Sequence, residues 1–503
     1  MAEIFGLDLG TTNTLAAVHY AGEAHPRPFL DRGRPHPSVV RYHGAQVVVG
    51  REARDQLDAP QVGVIGDFVR SPKRFLGKGM DLTVGGVARD PSEVVADILR
   101  HVRSHAEAEL QGAAEFGNVV ATVPVSMDGR GRRALRNAAH MAGFDIHQFV
   151  HEPLAALYGY LRDGEGFQRR MAELEGRLAL VFDWGGGTLD LTLCKVTDGS
   201  VIQIHNVGDP DVGGDRFDER LMRLIHERHL AKHGLRSEPV LIPGAVAKLN
   251  AACEQAKIRL SRAPTAEILV AHYAQEDSDA RTIEDRLTRE DVESQTQDLV
   301  DQGLRAIDQL LSHVGVPAEG IELCLATGGM VQMPAIRSRL IERFGGPGRV
   351  PLLEHGDRII AEGAAWIASD EQRLTLAKPF ELLHADAAYV PLLQADVSLP
   401  TLGKAIATSF SMYCVDPRDG YARFLFARPS APGRVSAGDP RDPYGVAVIA
   451  VDPTAQPLLE RLDLKLTVDD DLIAHVDVTS SLLQDSRRLE VHDLEFGLHL
   501  GHS

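Results

Sequence analysis

One motif occurs twice in this chain of 503 residues, and it constrains the fold more than any other feature. Leu178-Ala-Leu-Val-Phe-Asp183 is a continuous apolar run, short enough for a buried strand, that ends in a carboxylate. Trp184-Gly185-Gly186-Gly187-Thr188 turns the chain, and Leu189 to Val196 returns it as a strand. Alternation places Leu189, Leu191 and Leu193 on one face, with Thr188, Asp190 and Thr192 on the other. Three successive glycines in a hairpin cost folding entropy, so something must come close to the backbone there. A phosphate suits such a turn, because its N–H groups form an anion-binding concavity. Two carboxylates beside a phosphate call for a metal ion between them, and Mg²⁺ keeps its waters and takes few protein ligands. The plain alternative is a tight hairpin with surface aspartates.

The second copy stands near the N-terminus, as Ile4-Phe-Gly-Leu-Asp8-Leu-Gly10-Thr11-Thr12-Asn13 followed by the apolar return to Val18. Again a strand ends in Asp, then Asp-x-Gly, a small polar turn and a returning strand. Internal similarity of this kind points to two related lobes, each aiming a glycine hairpin at one shared ligand.

The length allows two to four domains with real cores. A content of 44% hydrophobic and 25% charged residues describes a soluble globular protein, and the net charge of −18 argues against nucleic acid as a partner. Cys194, Cys253, Cys324 and Cys414 are scattered without a C-x-x-C pair, which offers neither a zinc site nor a disulfide framework and suits a reducing cytosol. The first strand starts almost at Met1, leaving no room for a signal peptide, and no segment reaches ~18 uninterrupted apolar residues. The expectation is a cytoplasmic protein that does not enter membranes.

Taken in order, Pro37 to Val40 and Gln46 to Val49 read as short strands, and Lys73-Arg74 as a basic pair between glycines, ordinarily a solvated feature. Pro91 to Leu110 carries apolar residues at helical spacing with Pro91 placed to open the helix. The strand Asn118 to Val125 precedes Gly129-Arg-Gly131-Arg-Arg-Ala134, a match to the dinucleotide fingerprint that lacks an evident βαβ setting and is crowded by Arg130, Arg132 and Arg133. Glu152-Pro153 opens a helix after a strand, where a carboxylate is favourable in any case. Gly213-Gly214-Asp215 precedes another helix, and Glu254, Lys257 and Ser261 fall on one face of a third. A buried strand enters the turn Gly328-Gly329, and Asp357 precedes the helix from Ile359. From about 371 onward the pattern changes to short alternating strands, best seen in the pair Leu462 to Val468 and Leu472 to Val478, with a proline- and glycine-rich loop from Pro429 to Pro443.

Together these segments resemble the nucleotide-binding domain of the seventy-kilodalton heat-shock chaperones, the DnaK-like family within the actin-like ATPase superfamily. The matching pieces stand in the family's order: Gly6 to Asn13, Pro37-Ser38, Lys73 to Gly77, Val123-Pro124-Val125, Glu152 to Ala156, Phe182 to Asp190, Gly213 to Asp218, Glu254 to Ser261 and Gly328-Gly329. The resemblance implies an α/β fold: a two-lobed actin-like ATPase domain of duplicated ribonuclease H-like lobes over 1–370, followed by an all-β, sandwich-like domain over 371–503 for a substrate or partner. It also implies ATP or ADP with Mg²⁺, and admits K⁺. Asp8 and Asp190 would then hold Mg²⁺ through its waters, while Gly10, Thr11, Thr12, Asn13 and Gly185 to Gly187 (including Gly186) cradle the phosphates with Gly213, Gly214 and Asp215. Lys73, Glu152, Asp183 and Thr188 would serve the attacking water and the γ-phosphate. Glu254, Lys257 and Ser261 would take the adenosine, with Gly328 and Gly329 beneath it and Asp357 nearby.

The sequence departs from the family's pattern in places. Met330 and Gln332 replace the usual serine and arginine after Gly328-Gly329, Leu374 to Leu383 is the nearest substitute for an acidic-leucine linker, and the chain stops at Ser503 without a helical lid. Three functions stay open at this point. One is an ATP-hydrolysing chaperone acting on polypeptide clients, with a co-chaperone and a nucleotide-exchange factor. Another is a non-catalytic, ATP-gated scaffold for one dedicated protein partner, and the third a small-molecule kinase of the same superfamily.

Overall fold

The two motifs build two sheets on the same plan. In the computed structural model, Ile4–Leu9 lies between a parallel neighbour, Asn118–Val123, and its antiparallel hairpin partner, Asn13–Val18. Leu178–Trp184 likewise lies between parallel Ile321–Thr327 and antiparallel Leu189–Thr197. The register repeats as well: Asp8 stands opposite Thr122, and Asp183 opposite Thr327. The structure describes residues 4–500 apart from 59–65, 113–114, 164–165, 210, 235–239, 243, 276–280, 352, 354, 433–435 and 437. Pro210 of the double-glycine segment and part of the Pro429 to Pro443 loop lie outside the described residues.

The alternation expected for the strand after Gly187 holds, with both of its faces covered. Its leucines join the second lobe's core, and Thr192 is buried opposite them. By contrast, Arg441 to Pro443, read as loop, forms the start of the strand Arg441–Ala450. Two helices cross where the lobes join, Glu152–Arg162 and Ile359–Ser369. They approach through glycine: a Cβ on Gly159 would stand 2.7 Å from the Ile359 carbonyl oxygen, and one on Gly363 would overlap the Ala155 carbonyl. Local chemistry ends the long helices. Pro91–Leu110 opens with proline behind Asp90, whose side chain accepts from the Ser92 amide, and Arg289–Val314 opens on a Thr288/Asp291 capping box and stops at Gly315 with φ 73°.

Beyond residue 370 the strands form two four-stranded antiparallel sheets, each with one face turned to a common core. One carries Phe380–Leu383, Tyr389–Leu393, Tyr421–Pro429 and Arg441–Ala450, the other Ile406–Tyr413, Arg461–Val468, Ala474–Ser480 and Ser486–Val491. This β-sandwich is joined to the lobes by hydrogen-bonded strands. Phe496–His499 pairs with Ser200–Asp209 of the second lobe, and Arg373–Leu376 pairs with Phe496–His499 in turn, so one sheet carries strands from both sides of residue 370. The fingerprint-like segment is a docking element. The helix Gly129–Met141 buries Arg132, whose guanidinium donates to the carbonyls of Met127, Asp471, Leu472 and His492. Arg136 donates to an Asp471 carboxylate oxygen at 2.8 Å. Gly129 faces Ile473 and His492, leaving no space for a dinucleotide at that turn.

Candidate functional site

Asp8 and Asp183 each stand opposite a threonine across their parallel ladders. Thr122 donates its hydroxyl to Asp8 Oδ1 at 2.8 Å, and Thr327, buried, is the residue paired with Asp183. On the hairpin beside Asp183, the Thr188 hydroxyl donates to Asp190 Oδ2 at 2.7 Å. The two glycine turns come face to face, because a Cβ on Gly186 would stand 2.7 Å from the Thr12 hydroxyl of the other lobe. Ser38 braces the first turn: its amide donates to Thr12 O and its hydroxyl to Gly10 O. Asn13 begins the returning strand, with its carbonyl packed against Gly10.

Lys73 supplies the one ammonium in this group. It lies in a 3-10 turn, Pro72–Phe75, and is 7% exposed, the opposite of the solvated pair expected from local composition. Its Nζ donates to Glu152 Oε1 at 2.6 Å. Glu152 sits at the first turn of the crossing helix, so the strand–helix junction aims it. Burial, then the charge of Glu152, pushes the Asp8 carboxyl up to about 6, with Lys73 pulling against them. Burial raises Asp190 to about 6 as well, against the Thr188 hydrogen bond. Asp183 goes well above the ordinary carboxylate range through burial and the charges of Glu152, Asp190 and Asp8. Four carboxyl groups from two lobes therefore share one electrostatic environment with a single lysine.

The double-glycine turn closes over the second hairpin. Amides of Gly214 and Asp215 donate to the carbonyls of Gly185 and Gly186, and Trp184 Nε1 donates to Val212 O at 2.6 Å. A Cβ on Gly213 would overlap the Gly187 backbone, so close approach requires glycine there. Asp215 pairs with Arg74 at 2.6 Å, and Gly187 packs under the Arg74 guanidinium. Gly328, at φ 85°, is fitted against Trp184 O and Asp183 Oδ1, while Gly329 is exposed.

On the helix Ala245–Leu260, Glu254 and Lys257 are each 8% exposed, and Ser261 caps the end, half-buried. Both charges are already engaged. Lys257 Nζ donates to Gly214 O at 2.8 Å and to Asp218 Oδ2 at 2.9 Å. Glu254 receives Arg54 at 2.9 Å and Arg70 at 2.8 Å, both from the first lobe. Burial pushes its carboxyl up, but the arginines outweigh burial and hold it below its ordinary value. Met330 is buried with its sulfur toward Gly214, and Gln332 is exposed. Asp357 is exposed in the turn before Ile359–Ser369, a helix that packs on the first lobe, and it faces Glu362. Thr122, Thr327, Arg54 and Arg70 escaped sequence reasoning. Each is one polar residue in an unremarkable strand or helix, and only register or lobe pairing assigns it a partner.

Comparison with known proteins adds an independent observation. The family described as Hsp70 protein matches residues 4–372. Over 344 residues the chain is 31% identical to the chaperone protein DnaK of Thermosipho melanesiensis, covering 68% of this chain and 55% of the relative. It is 27% identical over 416 residues to the chaperone protein DnaK of Mycoplasmopsis agalactiae, covering 81% and 66%. It is 31% identical over 383 residues to the chaperone protein HscA homolog of Pseudomonas fluorescens, covering 72% and 56%. The matches thus span between about half and two thirds of these curated relatives.

Proposed function

The chain belongs to the Hsp70 protein family, and from that premise we propose that it hydrolyses ATP between its lobes and couples nucleotide state to polypeptide binding by its β-sandwich. The observation that carries this reading is the convergence of Asp8, Glu152, Asp183 and Asp190 around Lys73, between two facing glycine turns. Carboxyl groups crowded until their protons are held too tightly are relieved by a divalent cation, and an all-oxygen donor set fits Mg²⁺. Asp8 and Asp190 would hold that ion through its waters, with K⁺ a further candidate. When bound, Mg²⁺ would neutralise charge on the phosphate oxygens.

The chain's own residues do the remainder. Thr11, Thr12 and Gly185 to Gly187 present hydroxyls and amides to the phosphates. Lys73 brings positive charge to the γ-phosphate. Glu152, held by Lys73, and Asp183 accept hydrogen bonds from the attacking water and orient it, while Thr188 fixes Asp190. Glu254, Lys257, Ser261, Gly328 and Gly329 form the adenosine side. Asp357 contributes from the first lobe. A client polypeptide, a co-chaperone and an exchange factor complete the cycle. Among the described residues, no helix is long and apolar enough to cross a membrane.

One observation favours the scaffold reading as an alternative: strands Arg373–Leu376 and Phe496–His499 fasten the sandwich into the second lobe's sheet. ATP turnover measured with a panel of unfolded peptides separates the two. The chaperone reading predicts a peptide-dependent rate, whereas an unresponsive rate with one stoichiometric cellular partner favours the scaffold. Lys73→Ala should reduce turnover at least tenfold while ADP still binds. Undiminished turnover in that variant contradicts the catalytic assignment.

A further inference from the structure

A second group of chemistry-bearing side chains lies in the first lobe and shares no residue with the cleft. Asp31, His36 and His101 each bring one ligand-capable atom within 4.8 Å of the others, the one such group of three among the described residues. They come from three places: a tight turn, the strand His36–Pro37 and the helix Pro91–Leu110. His36 is fully buried, and its Nε2 lies 3.1 Å from Phe29 O. A carbonyl only accepts, so Nε2 carries the proton and Nδ1 keeps a bare lone pair. That Nδ1 has no hydrogen-bond partner, and neither has Nε2 of His101. A buried acceptor left empty beside a carboxylate, with a second unpartnered ring nitrogen next to it, is costly unless something binds there.

The surroundings suit a ligand at that point. Gly50, at φ 72°, packs against His101 Nε2, and a Cβ there would stand 2.7 Å from it. A cleft of ≈ 560 Å³ lined by Asp31, Arg51, Glu52, Asp97, His101 and His105 provides entry. Asp31 Oδ2 accepts from the Arg51 amide at 3.2 Å, which orients the carboxylate. Burial lowers His36 to about 4, with the charges of His101 and His105 acting the same way, and burial lowers His101 too. Packing alone accounts for the edge-on ring contacts, 5.2 Å from His36 to His101 and 5.0 Å to His105, but not for two empty nitrogens converging with a carboxylate.

We propose that Asp31, His36 and His101 form a binding site for a divalent transition-metal ion of the Zn²⁺ type, using His36 Nδ1, His101 Nε2 and the Asp31 carboxylate. Two imidazoles and one carboxylate suit zinc and disfavour Mg²⁺ or Ca²⁺. The His36–Phe29 bond is the outer hydrogen bond that metal-ligating histidines characteristically make. His105 is not among the residues whose ligand atoms gather, so the fourth position is left to water. Donors around tetrahedral zinc stand about 3.3 Å apart, so binding draws the turn and the helix together through side-chain rotation.

The test uses the full chain, stripped of metal and held with ADP and Mg²⁺ so that the cleft is occupied. Titration with Zn²⁺ against a chromophoric competitor should show one equivalent bound, and Co²⁺ should give the strong visible bands of tetrahedral coordination. His101→Gln and Asp31→Asn should each weaken zinc binding at least tenfold, while exposed His140→Gln leaves it unchanged. If His101→Gln fails to fold, Asp31→Asn and the wild-type Co²⁺ spectrum decide. No stoichiometric binding by the wild type, octahedral Co²⁺ bands, or equal affinity in Asp31→Asn would each overturn the site.

Discussion

Asp8 and Asp190 titrate where few carboxylates do, and that makes the cleft pH-sensitive. Both are raised to about 6, so between pH 4 and 6 the folded protein holds protons that the unfolded chain has released. Stability without nucleotide therefore falls as pH rises through that window. If a magnesium nucleotide binds as proposed, with both groups ionised, affinity should drop about a hundredfold from pH 7 to pH 5, a factor of ten for each group. Calorimetry in buffers of different ionisation enthalpy at pH 6 should detect the released protons, and a flat pH profile would contradict the assignment. Glu254 carries a second residue-scale prediction. It joins the lobes through Arg54 and Arg70, so Arg54→Ala should accelerate ADP release about tenfold, followed by stopped-flow fluorescence. The sequence made Asp8 and Asp183 legible because Asp-x-Gly after an apolar strand is a local signal. Lys73 was not legible from its neighbours, since a charge pair says nothing about the carboxylate waiting across the fold. His36 and His101 share no spacing that names a metal, and only the fold brings them together.

At the scale of elements, Glu152–Arg162 and Ile359–Ser369 pack closely through their glycines. Gly363→Ala would push a methyl group into the Ala155 carbonyl, backbone against backbone, where no rotamer gives relief. The expected cost is about 3 kcal/mol, read from the urea midpoint, and a neutral substitution would show that the helices part easily. The helix Pro91–Leu110 was readable, because proline at its first turn is a start signal written locally. Register was not. Asp8 opposite Thr122 and Asp183 opposite Thr327 follow from strand pairing over long sequence distance, which periodicity does not encode.

For the whole molecule, the sandwich is an integral neighbour of the lobes. Arg132 satisfies carbonyls from both, and Arg132→Ala strands several buried acceptors, with an expected loss of about 3 kcal/mol. Limited proteolysis should then release the region after residue 370 more readily than from the wild type, and equal resistance would contradict a docking role. The change to β pattern near 371 was plain in the sequence, yet the return of Phe496–His499 to the second lobe was not, because a strand of four residues carries no address. The central claim is that two facing acidic-glycine hairpins hold one magnesium nucleotide, and its most direct test is ATP binding by calorimetry with and without Mg²⁺. The wild type should gain at least tenfold in affinity from Mg²⁺, and that gain should vanish in both Asp8→Asn and Asp190→Asn. An equal gain in either variant contradicts the account.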